Sequence, residues 1–306
     1  MDKFEPGYIR LAREGKLAER VQAANKILES CTLCPRQCQV NRLAGEQKFC
    51  RMGKLPVVSS FGPHFGEERP LVGRSGSGTI FFTYCNLGCI FCQNYDISHL
   101  GHGEEISLEK LAGMMLFLQK VGCHNINFVT PTHATPQILA ALEIAIEQGL
   151  HLPLVYNCGG YESIETIRLL DGIFDIYMPD FKYADPEVAR RLSQAKDYPE
   201  RAREAVKEMH RQVGDLVVDN QGIALRGLLV RHLVLPQGLA GTREVTRFLA
   251  QELSPHTYIN VMDQYRPCFK AGEYPDIDRR PTYSEFQEAV RIAREQGLYR
   301  LDGMTI

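Results

Sequence analysis

From Thr79 to Met262 the chain repeats one rhythm: a short apolar run, a turn-rich loop, then a segment whose apolar residues recur at helical spacing. The runs are 79–84, 125–130, 152–156, 174–178, 228–235 and 258–262. Each is bounded by turn residues and rich in aliphatic and aromatic side chains, the pattern of a buried strand. The helical segments carry their own start and stop signals. Ser107 stands at the N-cap position of 107–120. Pro136 lies in the first turn of 135–148, with Gly149 past its end. Further helical segments are 163–170, 185–213 (one or two helices, opened by Asp185-Pro186), 242–253 and 282–296, and Asn220-Gln-Gly222 sits mid-way in a hairpin over 216–226. Six strands alternating with helices predict a parallel sheet. A doubly wound sheet and a partial (β/α)6 barrel share this alternation, and periodicity does not choose between them. In both, functional groups gather at the C-terminal ends of the strands.

Upstream, Ile9, Leu11, Leu17, Val21, Ala24 and Leu28 give residues 7–30 a helical stripe, and 55–61 reads as a short strand. These 306 residues suit one large domain with a small appendage. The boundary is expected after residue 75: an N-terminal helical, four-cysteine extension over 1–75, then an α/β core over 76–306. The formal net charge of −2 gives no hint of a nucleic-acid partner. No apolar run approaches the ~18 residues of a membrane span. Residues 1–20 are too charged for a secretory signal, so a cytoplasmic protein is expected, with no membrane partner.

Seven of the ten cysteines fall in two tight groups, Cys31, Cys34, Cys38 and Cys50, then Cys85, Cys89 and Cys92. Without an export signal, such groups read as metal sites rather than disulfides. Three thiolates can bind three irons of a cubane cluster and leave the fourth iron open to a small chelating ligand. Zinc completed by His99 or His102 is the alternative. The four-cysteine group suits a closed site, either tetrathiolate zinc or a second [4Fe-4S] cluster. Its flanking Arg36, Arg42, Lys48 and Arg51 offset thiolate charge, and we favour the second cluster.

Cys85-x3-Cys89-x2-Cys92 after a first strand, with the aromatic Phe91 before the third cysteine, resembles the signature of the radical S-adenosylmethionine (SAM) superfamily. Gly62-Pro-His-Phe-Gly-Glu-Glu68, Gly76-Ser-Gly-Thr-Ile-Phe-Phe82 and Cys92-Gln-Asn94 are similar to segments of the pyruvate formate-lyase activating enzyme-related proteins. This resemblance covers nearly the whole chain. It implies a partial (β/α)6 barrel, a [4Fe-4S] cluster that cleaves SAM to a 5′-deoxyadenosyl radical, and reduced flavodoxin or ferredoxin as electron donor. It also implies SAM contacts. Where the superfamily often has Gly-Gly-Glu, this chain has Thr130-Pro-Thr-His133, so Thr130, Thr132 and His133 become candidates. His133 reads equally well as a polar residue at a helix start. Asn157-Cys-Gly-Gly160 matches the region near the ribose and carboxylate. Asp180-Phe-Lys182 resembles the Asp-x-Lys of glycyl-radical activating enzymes, and Arg231 is a candidate for the SAM carboxylate.

Cys158 and Cys268 follow the third and sixth strands. They are candidate catalytic thiols or plain buried hydrophobes. Tyr265 and Arg266, with Asp263, are substrate-pocket candidates. His64, Glu67 and Glu68 either cap the site or form a solvated loop. Three functions compete: activation of a glycyl-radical protein, radical chemistry on a small molecule or protein side chain, and non-catalytic iron or zinc binding.

Overall fold

The computed structural model describes residues 4–303. Its strands are β1 (Val57–His64), β2 (Ser77–Phe82), β3 (Glu104–Glu105), β4 (Ile126–Val129), β5 (Leu154–Cys158), β6 (Ile176–Pro179), β7 (Val217–Val218), β8 (Ala224–Leu233) and β9 (Tyr258–Met262). Between and around them run α1 (Gly7–Arg13), α2 (Lys16–Ile27), α3 (Arg69–Val72), α4 (Tyr95–Ser98), α5 (Leu108–Lys120), α6 (Thr135–Glu147), α7 (Ile164–Leu169), α8 (Pro186–Ser193), α9 (Tyr198–Val213), α10 (Thr242–Arg247) and α11 (Tyr283–Glu295). Start signals act as the sequence predicts. The Ser107 hydroxyl accepts the Lys110 amide at 3.2 Å, and Thr282 and Glu285 form a capping box on α11. The single helix expected over 7–30 is two, because Gly15 turns left-handed (φ 73°) between α1 and α2.

Each of the six expected core strands is present, and they pair in parallel in chain order: β2, β4, β5, β6, β8, β9. A doubly wound sheet reverses direction at a switch point. This one never does, which is the order of a barrel. β1 adds antiparallel to the outer edge of β2, and among the described residues β9 pairs with β8 and not with β1 or β2. The barrel is therefore partial.

Alternation along the strands separates two cores. Ile80, Phe82, Phe128, Tyr156 and Tyr177 face the helices and merge with Leu111, Met115, Ile138 and Leu142. Their neighbours along each strand face the lumen, where Val155, Ile176, Met178 and Leu229 pack with Leu71 of α3. The segment after β1 thus plugs the lumen at the N-terminal end of β2: His64 pairs with Ser77, and Asn125 Nδ2 donates to the Leu71 carbonyl at 2.9 Å. Above the plug the lumen-facing positions turn polar, and there the cavity opens. Among the described residues no helix is long and apolar enough to cross a membrane.

Candidate active site

A cavity of about 400 Å³ occupies the C-terminal half of the lumen, within the usual range for a cofactor-sized ligand. Cys85, Cys89 and Cys92 line one end of it, on the loop that leaves β2. The loop is tightly specified. Tyr84 is held left-handed (φ 62°), and Gly88 (φ 70°) packs so close to Phe49 that an added Cβ would sit 2.9 Å from the ring. Each thiol has a hydrogen-bond donor: Cys85 accepts from the Leu87 amide (3.3 Å), Cys89 from the Ser193 hydroxyl (3.1 Å) and Cys92 from the Ser98 hydroxyl (3.1 Å). Burial pushes Cys85 up to about 12 and raises Cys92, so these thiols give up protons only to a strong local positive charge. An iron cluster would supply that charge, and the three donors match what a metal-bound thiolate needs around it.

Among the described residues no three His, Cys, Asp or Glu side chains converge on one metal-ion position. A cubane places each thiolate on a different iron, so it requires a shared cavity rather than a single point. His99 does not join this group: its Nε2 lies 2.9 Å from the Cys89 carbonyl and its ring stacks on Phe269. Neither His99 nor His102 borders the cavity.

Opposite the cysteines stands a buried charge network. Asp180, just past β6, receives Lys182 Nζ on one oxygen (2.5 Å) and Arg231 Nε on the other (2.7 Å). Arg231 also donates to Asn157 Oδ1 at 2.7 Å. Asp180 and Arg231 face each other across neighbouring strand ends, and all three charged side chains are less than a fifth exposed. Burial alone would raise the Asp180 carboxyl, but Arg231 and Lys182 outweigh it and hold it below the usual range. Gly160 (φ 79°) runs against this network, where a Cβ would overlap the Asp180 carbonyl oxygen.

Of the residues singled out by sequence, Phe91, Thr130, Asn157, Asp180, Lys182, Arg231 and Cys158 line this cavity with the three cysteines. Thr132, His133, Tyr265, Arg266 and Cys268 do not. Thr130 is left-handed (φ 58°), and the turn after it carries Thr132 and His133 away from the lumen. The Thr132 hydroxyl donates to Glu162 (2.8 Å), and His133 Nε2 meets the Thr83 carbonyl at 2.7 Å, leaving a buried Nδ1 without a partner. Tyr265 is buried against Phe91 and donates to the Ile277 carbonyl at 2.7 Å; Arg266 is exposed and Cys268 half-buried.

His133 instead borders a second, smaller space of about 20 Å³, lined by Cys31, Cys34, Cys38 and Cys50. The four thiols are brought together by a knuckle in which the Cys31 amide donates to Val40 and the Gln39 amide to Cys31, with Gln37 and Gln39 both left-handed. The fully buried Arg42 brings Nη1 to 4.0 Å from Cys31 Sγ and donates twice to the Gly53 carbonyl. Burial raises Cys34 and Cys50, as at the first site.

Sequence reasoning took Arg36 only as a charge-offsetting neighbour and missed that it joins the two sites. Arg36, set between Cys34 and Cys38, donates to the carbonyls of Asn86 (3.1 Å), Leu87 (3.0 Å), Ser193 (3.0 Å) and Gln194 (2.6 Å). Its guanidinium lies 3.9 Å over the Phe49 ring. A fork of donors aimed at four carbonyls is a task for arginine that lysine cannot perform. Arg36→Lys is expected to cost roughly 2–3 kcal/mol in urea unfolding and to speed loss of iron from the Cys85–Cys92 loop on dilution into air. Unchanged iron retention would show that the clamp is not needed. Glu162 was missed as well. It is fully buried, pushed up to about 7 by burial, and bonded by Thr132 and the Tyr156 hydroxyl (3.0 Å). It also raises the neighbouring Cys158 thiol, for which burial is the larger cause.

A family model described as the radical SAM superfamily matches residues 79–221. A protein of Methanocaldococcus jannaschii that bears only the label uncharacterized is 34% identical over 304 residues, which cover 97% of this chain and 84% of that protein. Residues 79–221 carry a radical SAM superfamily domain. Such a domain implies a [4Fe-4S] cluster, SAM and a source of reducing electrons, and the three hydrogen-bonded thiols at the end of a cofactor-sized cavity fit that pair. Among solved structures, the chain is similar to the crystal structure of methylornithine synthase, with a TM-score of 0.46 at 14% identity over 92% of this chain and 69% of that one.

Proposed function

We propose that Cys85, Cys89 and Cys92 hold the radical SAM cluster and that SAM occupies the cavity between them and Asp180. When bound there, reduced cluster and SAM supply methionine and a 5′-deoxyadenosyl radical for hydrogen-atom abstraction. The protein's part is to bind, orient and keep dry. Asp180 holds Arg231 and Lys182 charged and in place, so that they can pair with the SAM carboxylate without rearranging. Asn157, tied to Arg231, and Thr130 offer polar contacts on neighbouring strand ends. Phe91, 4% exposed and packed edge-on against Tyr183 and Tyr265, screens the thiols from water. The observation that carries this reading is the set of three thiols, each with its own hydrogen-bond donor, facing a buried ion-pair network across one cavity. Anaerobically reconstituted, dithionite-reduced protein is expected to form 5′-deoxyadenosine from SAM. Its absence, with the cluster intact, would refute the reading.

For the N-terminal site we propose a second [4Fe-4S] cluster on Cys31, Cys34, Cys38 and Cys50, with Arg42 offsetting its charge. About eight irons per chain would support this, whereas about four irons with one zinc would assign the site to zinc.

The likeness of Asp180-Phe-Lys182 to glycyl-radical activating enzymes supports abstraction from a backbone glycine of a partner protein, with flavodoxin or ferredoxin as reductant. A glycyl doublet by electron paramagnetic resonance on mixing with such a protein would support it. One observation favours the second reading, a small-molecule substrate. The cavity has a floor, built by the plug after β1, that carries a charged residue of its own.

A further inference from the structure

His133 faces the four-cysteine site and reaches it with one ring nitrogen unused. The residue is 1% exposed and borders the small space lined by Cys31, Cys34, Cys38 and Cys50. Its Nε2 lies 2.7 Å from the Thr83 carbonyl. A carbonyl only accepts, so this contact assigns the proton to Nε2. In the neutral ring Nδ1 then carries a bare lone pair, and that atom is buried with no hydrogen-bond partner among the described residues.

The buried N–H groups on the wall of this space are all engaged elsewhere. Arg42 directs Nε and Nη2 to the Gly53 carbonyl and Nη1 to Cys31. Arg36 gives its guanidinium to four carbonyls. Asn86 Nδ2 donates to the Tyr161 carbonyl at 2.6 Å, and Lys48 is exposed. The four sulfurs remain. Once they bind metal they are thiolates, with no proton to offer a lone pair. The partner left for Nδ1 is the metal itself. An imidazole that donates one ring N–H to a backbone carbonyl and keeps the other nitrogen bare is the usual arrangement of a metal ligand.

The cysteines give the second indication. Cys31 and Cys34 are buried, and Cys50 packs against the main core. Cys38 is half-buried and, among the described residues, joins no apolar cluster. It stands between two left-handed residues, Gln37 (φ 40°) and Gln39 (φ 56°). It is therefore the thiol least held by packing. A cubane offers one protein position on each of its four irons, and His133 brings the donors at this site to five.

Resting on the metal centre proposed above for the four cysteines, we propose that His133 Nδ1 is a ligand to that centre and shares one position with Cys38. The same ring ties the centre, through the Thr83 carbonyl, to the end of β2 just before Cys85.

The test counts iron and zinc in anaerobically reconstituted protein carrying Cys89→Ala, so that the cluster of the 85–92 loop does not contribute. Adding Cys38→Ala is expected to leave the N-terminal metal in place, about four irons for a cubane, and adding His133→Ala as well to remove it. Pulsed electron paramagnetic resonance of the reduced Cys38→Ala protein is expected to show coupling to an iron-bound imidazole nitrogen; for zinc, the cobalt-substituted protein is read instead. Loss of the metal on Cys38→Ala alone overturns the assignment, because Nδ1 then fails to take the position. Retention when both residues are replaced also overturns it, and would leave Nδ1 to a buried water. Circular dichroism checks that the protein lacking both is folded. If it is not, the nitrogen coupling in Cys38→Ala decides, and its absence overturns the assignment. Cys89→Ala protein with neither iron nor zinc would refute the four-cysteine centre, and this inference with it, which is distinct from a loss confined to Cys38→Ala.

Discussion

The Cys89→Ala variant is expected to lose about four irons per chain on anaerobic reconstitution and to form no detectable 5′-deoxyadenosine. Cys89 is buried, receives the Ser193 hydroxyl at 3.1 Å, and lies between Cys85 and Cys92 on a loop with little freedom. That loop is pinned at several points. The Ile90 amide donates to Leu192, the Lys270 amide donates to the Ile90 carbonyl, and Asn86 Nδ2 donates to the Tyr161 carbonyl at 2.6 Å. A loop held this way cannot bring another side chain to a vacant iron. Cys123→Ala is the control, because Cys123 is buried beneath α5 and borders neither cavity. Irons that remain in Cys89→Ala report the N-terminal site directly. Full iron content in this variant, or persistent SAM cleavage, would remove the 85–92 loop from the chemistry.

Asp180→Ala is expected to cost about 3–5 kcal/mol of stability and to abolish measurable SAM binding. Among the described residues Asp180 is the single carboxylate within hydrogen-bond reach of both Lys182 (2.5 Å) and Arg231 (2.7 Å). Its removal leaves two cations buried side by side, with Glu67 at 3.7 Å as the nearest anion. Breaking a buried pair costs more than replacing it whole, because desolvated charge stays behind without compensation. Asp180→Asn should fall between, since its amide oxygen can still accept from one of the two. Denaturant midpoints by circular dichroism and SAM affinity by equilibrium dialysis check both effects. A midpoint unchanged from wild type in Asp180→Ala would show that water already screens this network.

Much of the scaffold was legible in the chain. The six apolar runs, the Ser107 and Asp185 helix starts and the hairpin around Asn220-Gln-Gly222 all appear where local rules put them. The side-chain assignments after β4 were not legible. Reading along 130–133 places Thr130, Thr132 and His133 together near SAM, but a left-handed Thr130 reverses the chain, and only Thr130 reaches the cavity. No local signal marks a threonine for that conformation. Arg36 reads as one of several basic residues near cysteines, and its role depends on carbonyls 50 to 158 positions away. Glu67 reads as part of a polar loop. Its burial depends on α3 plugging a lumen that exists only once six strands have curled together.

The sequence by itself determined the cysteine spacings, the order of strands and helices, and hence a cluster-bearing loop at the C-terminal end of the first core strand, because these rest on local periodicity and short-range chemistry. The family resemblance pointed to a partial barrel where periodicity did not choose, and tertiary structure alone decided that Asp180 and Arg231 meet across two strands and that the two cysteine groups share a wall through Arg36. Those facts belong to contacts between residues far apart in the chain, and such contacts take their energy from burial and desolvation, which no short stretch of sequence contains.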